Sequence, residues 1–266
     1  MKISIIQLLV EGAEPKRNIE RAIDYIEKNS NCDLALLPET LDFGWTHPSG
    51  LVDAMPIPGI YSDLFCELAK RKNIWICLGL TEKTENGNYN TSILIDRNGE
   101  IVLKHRKVNL LEVEFPFYKV GQKIEVIDTE FGKIGLNICA DNYYDALYIG
   151  NTLAAMGAQL ILSPSSWTVS HEITENTNPY KEKWLKPFSY LASKHNLIVA
   201  ATTAVGYIIG GPYVGMKMIG KSLVVGPDGI ISEGIQNEFA TEVVNVELQL
   251  PFNPKKGEQM GKYLNS

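Results

Sequence analysis

Lys133-Ile134-Gly135-Leu136-Asn137-Ile138-Cys139-Ala140-Asp141-Asn142 is the stretch on which the reading of this chain turns. The run is short and apolar, begins just after Gly132 and breaks at Asp141/Asn142, so it predicts a buried strand. Cys139 falls where that strand gives way to a loop and then a helix. A layered α/β fold presents side chains to a cleft at this position. Taken alone, a free cysteine is a small buried hydrophobe more often than a reactive group. With a base and a cation in reach it becomes a nucleophile, so the rest of the chain is read for those partners.

Working outward, 124–127 predicts the strand before it, 145–157 a helix after it, and 159–162 a strand running into Ser163-Pro164-Ser165. Residues 179–195 predict a helix in which Pro187 imposes a kink or a late start. Strands are expected at 197–202 and 241–246, and at 222–225 and 230–232 around Pro227-Asp228-Gly229. Towards the N-terminus, 2–10 and 33–37 read as strands. Between them Ile19, Ala22, Ile23 and Ile26 mark the apolar face of a helix over 18–29. Ser62 is placed to cap a helix carrying Leu64, Phe65, Leu68 and Ala69. Strand 74–80 leads to the hairpin signal Asn86-Gly87, and 92–95 and 100–103 flank Arg97-Asn98-Gly99.

Strands alternating with helices argue for α/β, with helices covering sheet faces. SILIDRNGEI (92–101) and SLVVGPDGII (222–231) are alike, one in each half, and hint at an internal pseudo-repeat. No linker-like segment divides the halves, so 1–266 reads as one domain, with a core of about 1–248 and a tail at 249–266.

The 266 residues are 45% hydrophobic and 21% charged, an ordinary globular balance with material for a sizeable core. The net charge of −6 and the shortness of the one basic run, Lys104-His105-Arg106-Lys107, argue against a nucleic-acid partner. No apolar run reaches bilayer length, and the first fifteen residues read as a strand rather than a signal peptide. Cys32, Cys66, Cys77 and Cys139 are scattered without metal-ligand spacing, and the four histidines add none. Reduced thiols in a cytoplasmic protein are the simple expectation, with Cys66 and Cys77 as core thiols.

A catalytic cysteine needs a proton acceptor and a stabiliser for the oxyanion it creates. His105 and His195 sit at no clear strand end and read as structural. Glu39 follows Leu36-Leu37-Pro38 directly at a strand's C-terminal end, where a carboxylate is costly to bury without a purpose. Lys107 ends the basic run before Val108 and could supply positive charge to thiolate and oxyanion. Asp141 reads as the cap of the following helix. Trp167, at another strand end, could line a pocket or fill the core.

Three segments together resemble the nitrilase superfamily of carbon–nitrogen hydrolases. They are Leu36-Leu37-Pro38-Glu39, Lys104-His105-Arg106-Lys107-Val108-Asn109-Leu110 and Gly135-Leu136-Asn137-Ile138-Cys139-Ala140-Asp141. Gln7, Asn18 and the pair Gly220-Lys221-Ser222 with Pro227-Asp228-Gly229 extend the resemblance to about Val246. It implies an α-β-β-α sandwich that associates as a homodimer or larger homo-oligomer. It implies Glu39 as general base, Lys107 as oxyanion-stabilising cation and Cys139 as nucleophile. Glu114 would be a second glutamate positioning Lys107 or substrate, with Tyr118 as its neighbouring aromatic. The Ala140 N–H is a second oxyanion donor by the general logic of such holes. Tyr143, Trp167 and Tyr118 are candidates for the substrate side. The implied substrate is a small amide or carbamoyl compound with water as co-substrate, and neither a metal nor an organic cofactor is expected. A nitrilase acting on nitriles and a non-catalytic binding protein of the same fold are the alternatives.

The chain also departs from the family pattern. Ala140 stands where an aromatic is common, Tyr143 where an Arg is common, and Asn109 where a His is frequent. The usual sequence signal for an acidic substrate, that Arg, is therefore missing.

Overall fold

The computed structural model describes residues 1–173 and 179–252; the expected tail lies outside them beyond residue 252. The first half contributes β1 (Lys2–Gln7), α1 (Pro15–Lys28), β2 (Leu34–Leu36), α2 (Gly50–Asp53), α3 (Ile60–Lys72), β3 (Trp75–Thr84), β4 (Gly87–Ile95) and β5 (Ile101–Arg106). The second half contributes β6 (Val126–Thr129), β7 (Gly132–Leu136), α4 (Leu147–Ala155), β8 (Leu160–Ser165), β9 (Thr168–Val169), α5 (Lys186–His195), β10 (Ile198–Thr203), β11 (Val205–Tyr207), β12 (Lys217–Ile219), β13 (Leu223–Gly226), β14 (Gly229–Glu233) and β15 (Glu242–Glu247).

Two six-stranded sheets result, in the orders β15-β1-β2-β3-β4-β5 and β14-β13-β10-β8-β7-β6, beside a small sheet β11-β12-β9. Each large sheet has three parallel central strands, β1-β2-β3 or β10-β8-β7, flanked by antiparallel ones. The two look-alike segments form the hairpins β4–β5 and β13–β14. Both carry a register shift at the same point of the repeat, between Leu94 and Ile95 and between Val224 and Val225. The weak sequence likeness thus coincides with a shared backbone irregularity.

Period-two alternation decides what each strand face meets. Ile3, Ile5, Leu34 and Leu36 point to a core shared with Leu160, Leu162, Ile198 and Ala200 of the other sheet. Ile6, Ala35 and Leu37 turn the other way, onto Ile19, Ala22 and Ile26 of α1 and Phe65 and Leu68 of α3. Ile161, Val199 and Ala201 likewise face Leu153 of α4 and Phe188 and Leu191 of α5. The layers are therefore helix, sheet, sheet, helix. Among the described residues no helix is long and apolar enough to cross a membrane.

One local expectation is corrected and another holds. Ser62 does not stand at the cap of α3, which starts at Ile60; it lies one turn in, where its Oγ accepts the Gly59 N–H at 2.9 Å and closes the turn from inside. The 179–195 helix is interrupted as Pro187 requires: a π-helical turn at Lys181–Leu185 precedes α5, in which Pro187 occupies the first turn where its missing N–H is harmless.

Candidate active site

Glu39, Lys107 and Cys139 all lie just beyond strand C-termini, of β2, β5 and β7. Packing the two sheets face to face brings these ends together. The Glu39 N–H donates to Ser165 O at the end of β8 (3.4 Å), and Ser166 Oγ donates back to Glu39 O (3.3 Å). Beyond β2 the chain hugs β3: Gly79 N–H donates to Pro38 O and Leu41 N–H to Gly79 O, both at 3.0 Å. A Cβ on Gly79 would stand 2.6 Å from the Glu39 Cα, so only glycine permits this approach. Lys107 is held by its own backbone, its N–H donating to Asn90 O (2.8 Å) and its carbonyl accepting from Gly121 N–H (2.8 Å).

The side chains of Glu39, Lys107 and Glu114 are fully buried and Cys139 is 6% exposed. Lys107 Nζ donates to Glu39 Oε1 (3.0 Å) and to both oxygens of Glu114 (2.8 and 3.0 Å). Glu114 is itself fixed by Trp45 Nε1 on Oε1 (2.7 Å) and by the Leu111 N–H on Oε2 (2.8 Å). Asn90 Nδ2 donates to Glu39 Oε1 (2.5 Å), while Glu39 Oε2 has no hydrogen-bond partner in the protein. One carboxylate oxygen is thus occupied by positioning bonds and the other is left to accept a proton.

Electrostatics follow from this burial. Desolvation raises the Glu39 carboxyl above its ordinary range, and Lys107 only partly offsets it. Burial also works against the Lys107 ammonium, but Glu114 and Glu39 outweigh it and hold the lysine well above its usual value. Burial, then the Glu39 charge, push the Cys139 thiol up, with Lys107 pulling the other way too weakly to prevail. Burial thus favours the protonated form of the thiol, a form that needs a base to become a nucleophile.

Cys139 opens a 3₁₀ turn, Cys139–Asn142, with φ at +43°. A non-glycine residue in that region costs about 1–3 kcal/mol and persists only where the surroundings over-determine it. They do so here. Asn137 and Asn142 exchange side-chain hydrogen bonds (2.7 and 3.0 Å), and Asn142 Nδ2 also reaches Cys139 O and Ser163 Oγ. Asp141 does not cap the next helix as expected. Its Oδ1 accepts the N–H groups of Val108 (3.2 Å) and Asn109 (2.7 Å), and its Oδ2 faces the Ile138 N–H (3.0 Å) and His105 Nε2 (2.7 Å). Asn109 Nδ2 adds a bond to Ala140 O (2.7 Å). The residues that follow Lys107 are therefore tied to the turn that carries Cys139. Within that turn Asp141 N–H donates to Ile138 O, while the Ala140 N–H belongs to the leading end, which needs an outside acceptor. His105 and His195 are structural, the latter paired with Asn151 Oδ1 (2.6 Å).

Cys139 opens onto a cavity of about 100 Å³ walled by Trp45, Leu111, Tyr143, Trp184, Tyr213 and Met216, with Ser166, Thr168 and Lys183. Tyr143 lines it. Trp167 does not and takes the other of its two expected places: the turn after β8 swings it into the helix-side core, where it stacks on Trp184 at 4.8 Å with no exposed surface. Tyr118 is buried behind the site, its hydroxyl accepting the Thr46 N–H (3.3 Å), and does not line the cavity. Sequence reading missed Asn90, Trp45 and Lys183. Asn90 is one polar residue in the stretch NYNTSILI, and only its pairing opposite Thr81 on β3 aims it at Glu39. Lys183 was absorbed into a helix whose π-helical start went unseen.

The family description "Carbon-nitrogen hydrolase" matches residues 2–252. The chain belongs to the carbon–nitrogen hydrolase family. This hydrolase is 27% identical to a protein named nitrilase from Pyrococcus abyssi over 96% of this chain and 93% of that one. It is 27% identical to the deaminated glutathione amidase of Dictyostelium discoideum, covering 89% and 81% respectively. Among solved structures, the fold of the carbon–nitrogen hydrolase from Helicobacter pylori G27 superposes with a TM-score of 0.80 at 21% identity, over 100% of this chain and 94% of that one. An amidase from Nesterenkonia sp. gives 0.77 at 19% identity, over 99% and 96%.

Proposed function

We propose that this carbon–nitrogen hydrolase cleaves a small amide through a thioester on Cys139. The single observation that carries the reading is the division of labour in the buried cluster. Glu39 keeps one oxygen without a partner beside a neutral thiol, while Lys107 is held between two carboxylates.

Glu39 takes the thiol proton as Sγ bonds to the amide carbon. The carbonyl oxygen becomes an oxyanion facing Lys107 Nζ and the Ala140 N–H. Glu39 returns the proton to the nitrogen, the C–N bond breaks, and ammonia or an amine departs. A water then gives its proton to Glu39 and attacks the thioester. The C–S bond breaks, the acid leaves, and the thiol regains its proton. Glu114 fixes the Lys107 ammonium throughout. A cavity of about 100 Å³ suits a short acyl group and falls below the roughly 300 Å³ at which drug-sized pockets begin. An amide substrate is supported by relatives named deaminated glutathione amidase and omega-amidase. One mutant of the Nesterenkonia amidase binds butyramide, and another carries acrylamide added at its active-site cysteine.

The test is a panel of short amides, carbamoyl compounds and nitriles read by released ammonia, with mass spectrometry of the protein. The expected result is turnover of amides and an acyl adduct on Cys139, both lost in Cys139→Ala. Turnover of nitriles alone would move the substrate class. Full amide turnover by Cys139→Ala would end the mechanism.

A further inference from the structure

We propose that Trp45 is a positioning residue: its indole N–H keeps Glu114 satisfied while Lys107 turns one of its N–H groups from Glu114 to the oxyanion. This rests on the amide-hydrolase reading above and adds how Lys107 becomes available to the substrate.

An ammonium has three N–H donors. Lys107 Nζ has carboxylate oxygens for all of them: Glu39 Oε1 at 3.0 Å, and Glu114 Oε1 and Oε2 at 2.8 and 3.0 Å. Its donors are therefore committed before a substrate arrives, and an oxyanion must take one away from a carboxylate. Glu114 is the partner that can give one up, because it is bonded twice and still holds Lys107 through its other oxygen. A buried carboxylate oxygen stripped of its donor is costly, and that cost would fall on the transition state. Glu114 avoids it by having a neutral donor on each oxygen, the Leu111 N–H on Oε2 (2.8 Å) and Trp45 Nε1 on Oε1 (2.7 Å). Trp45 is the one side chain besides Lys107 that bonds Glu114 among the described residues. Without it, Oε1 would depend on Lys107 alone and hold the ammonium back.

The surroundings hold the indole in this pose. Trp45 is 5% exposed, its ring forms part of the cavity wall that also includes Cys139, and the ring centre lies 6.0 Å from Lys107 Nζ. Tyr213 packs against it at 5.4 Å. Left-handed conformations at Gly44 (φ +81°) and Thr46 (φ +57°) shape the turn that carries it. That turn is tied a second time to the segment of Glu114: the Thr46 N–H donates to the Tyr118 hydroxyl (3.3 Å), and the Tyr118 N–H donates to Glu114 O (2.9 Å). Ring and N–H thus have separate tasks, the ring in the wall and the N–H in the charge cluster. Losing the N–H alone should weaken the two tetrahedral steps and leave substrate binding in place.

Two reactions at Cys139 test this, because one forms an oxyanion and the other does not. Hydrolysis of butyramide forms one. In alkylation by iodoacetamide Sγ displaces iodide from the CH₂ carbon, the thiol proton passes to Glu39, and no oxyanion arises. Trp45→Phe keeps a ring in the wall and removes the donor. Benzothienylalanine at position 45 replaces the N–H by sulfur in a ring of the same shape, and serves if Trp45→Phe does not fold. The expected result for either is a fall of about tenfold in both kcat and kcat/KM for butyramide, with KM and the alkylation rate within about twofold of the wild type. An unchanged kcat overturns the assignment and leaves Lys107 to draw its free N–H from elsewhere. A loss carried by KM, or one that slows alkylation equally, also overturns it, since Trp45 would then only shape the wall. Each of these outcomes leaves the hydrolase reading standing. Wild-type protein that is alkylated at Cys139 yet hydrolyses no amide in the panel overturns both.

Discussion

Glu39 must be ionised to take a proton, yet its burial opposes ionisation. Because a base works only when deprotonated, activity should fall as pH drops through the raised Glu39 value. The acid limb of kcat/KM for a neutral amide should therefore lie above the ordinary 4.5 of a glutamate. Glu39→Gln should lose about 10²–10⁴-fold in kcat together with that limb; a wild-type limb at or below 4.5 would exclude Glu39 as the titrating base. Glu39 was legible in the sequence because an acid immediately after a buried apolar strand is an expensive choice. The same strand-end logic failed at Trp167, because it locates a backbone position and says nothing of where the next turn sends the side chain. Asn90 and Trp45 were illegible for another reason: each owes its role to an element that comes near it only in three dimensions.

The turn after β7 and the segment after β5 act as one unit because Asp141 joins them. Asp141→Asn removes two acceptor lone-pair positions and supplies a donor in their place. Whichever way the amide turns, buried N–H groups lose their partner, at about 1–3 kcal/mol each. The expected outcome is an earlier thermal transition and a kcat lowered at least tenfold per folded molecule, with KM for a short amide little changed. An unchanged kcat at a temperature where the variant is fully folded would assign Asp141 to stability alone. This strap explains why the residue looked like a helix cap. A short polar side chain after a turn fits either role, and the deciding partners, Val108 and Asn109, lie more than thirty residues away. Strand existence was the most legible feature at this scale, since alternation such as Ile3/Ile5 against Ile6 is written directly in the chain.

The whole molecule depends on the face shared by its two sheets, since the site is assembled from strand ends on both sides of it. Ile3 lies fully buried there. Ile3→Ala should cost about 2–5 kcal/mol, read as a lower urea midpoint, while kcat per folded molecule at 25 °C stays near that of the wild type. A loss of kcat without a shift in midpoint would show that the inter-sheet layer tunes the site rather than only supporting it. That layer also sets an order of events. β1 pairs on one side with β2 and on the other with β15, and the Met1 amine donates to Leu248 O across 247 positions of chain. During synthesis β1 is therefore closed on that side only once β15 has been made. Until residues 242–247 have emerged, β1 stands as an open edge of its sheet to any extended segment nearby, and a ribosome that stalls short of them releases a chain prone to stick to its neighbours.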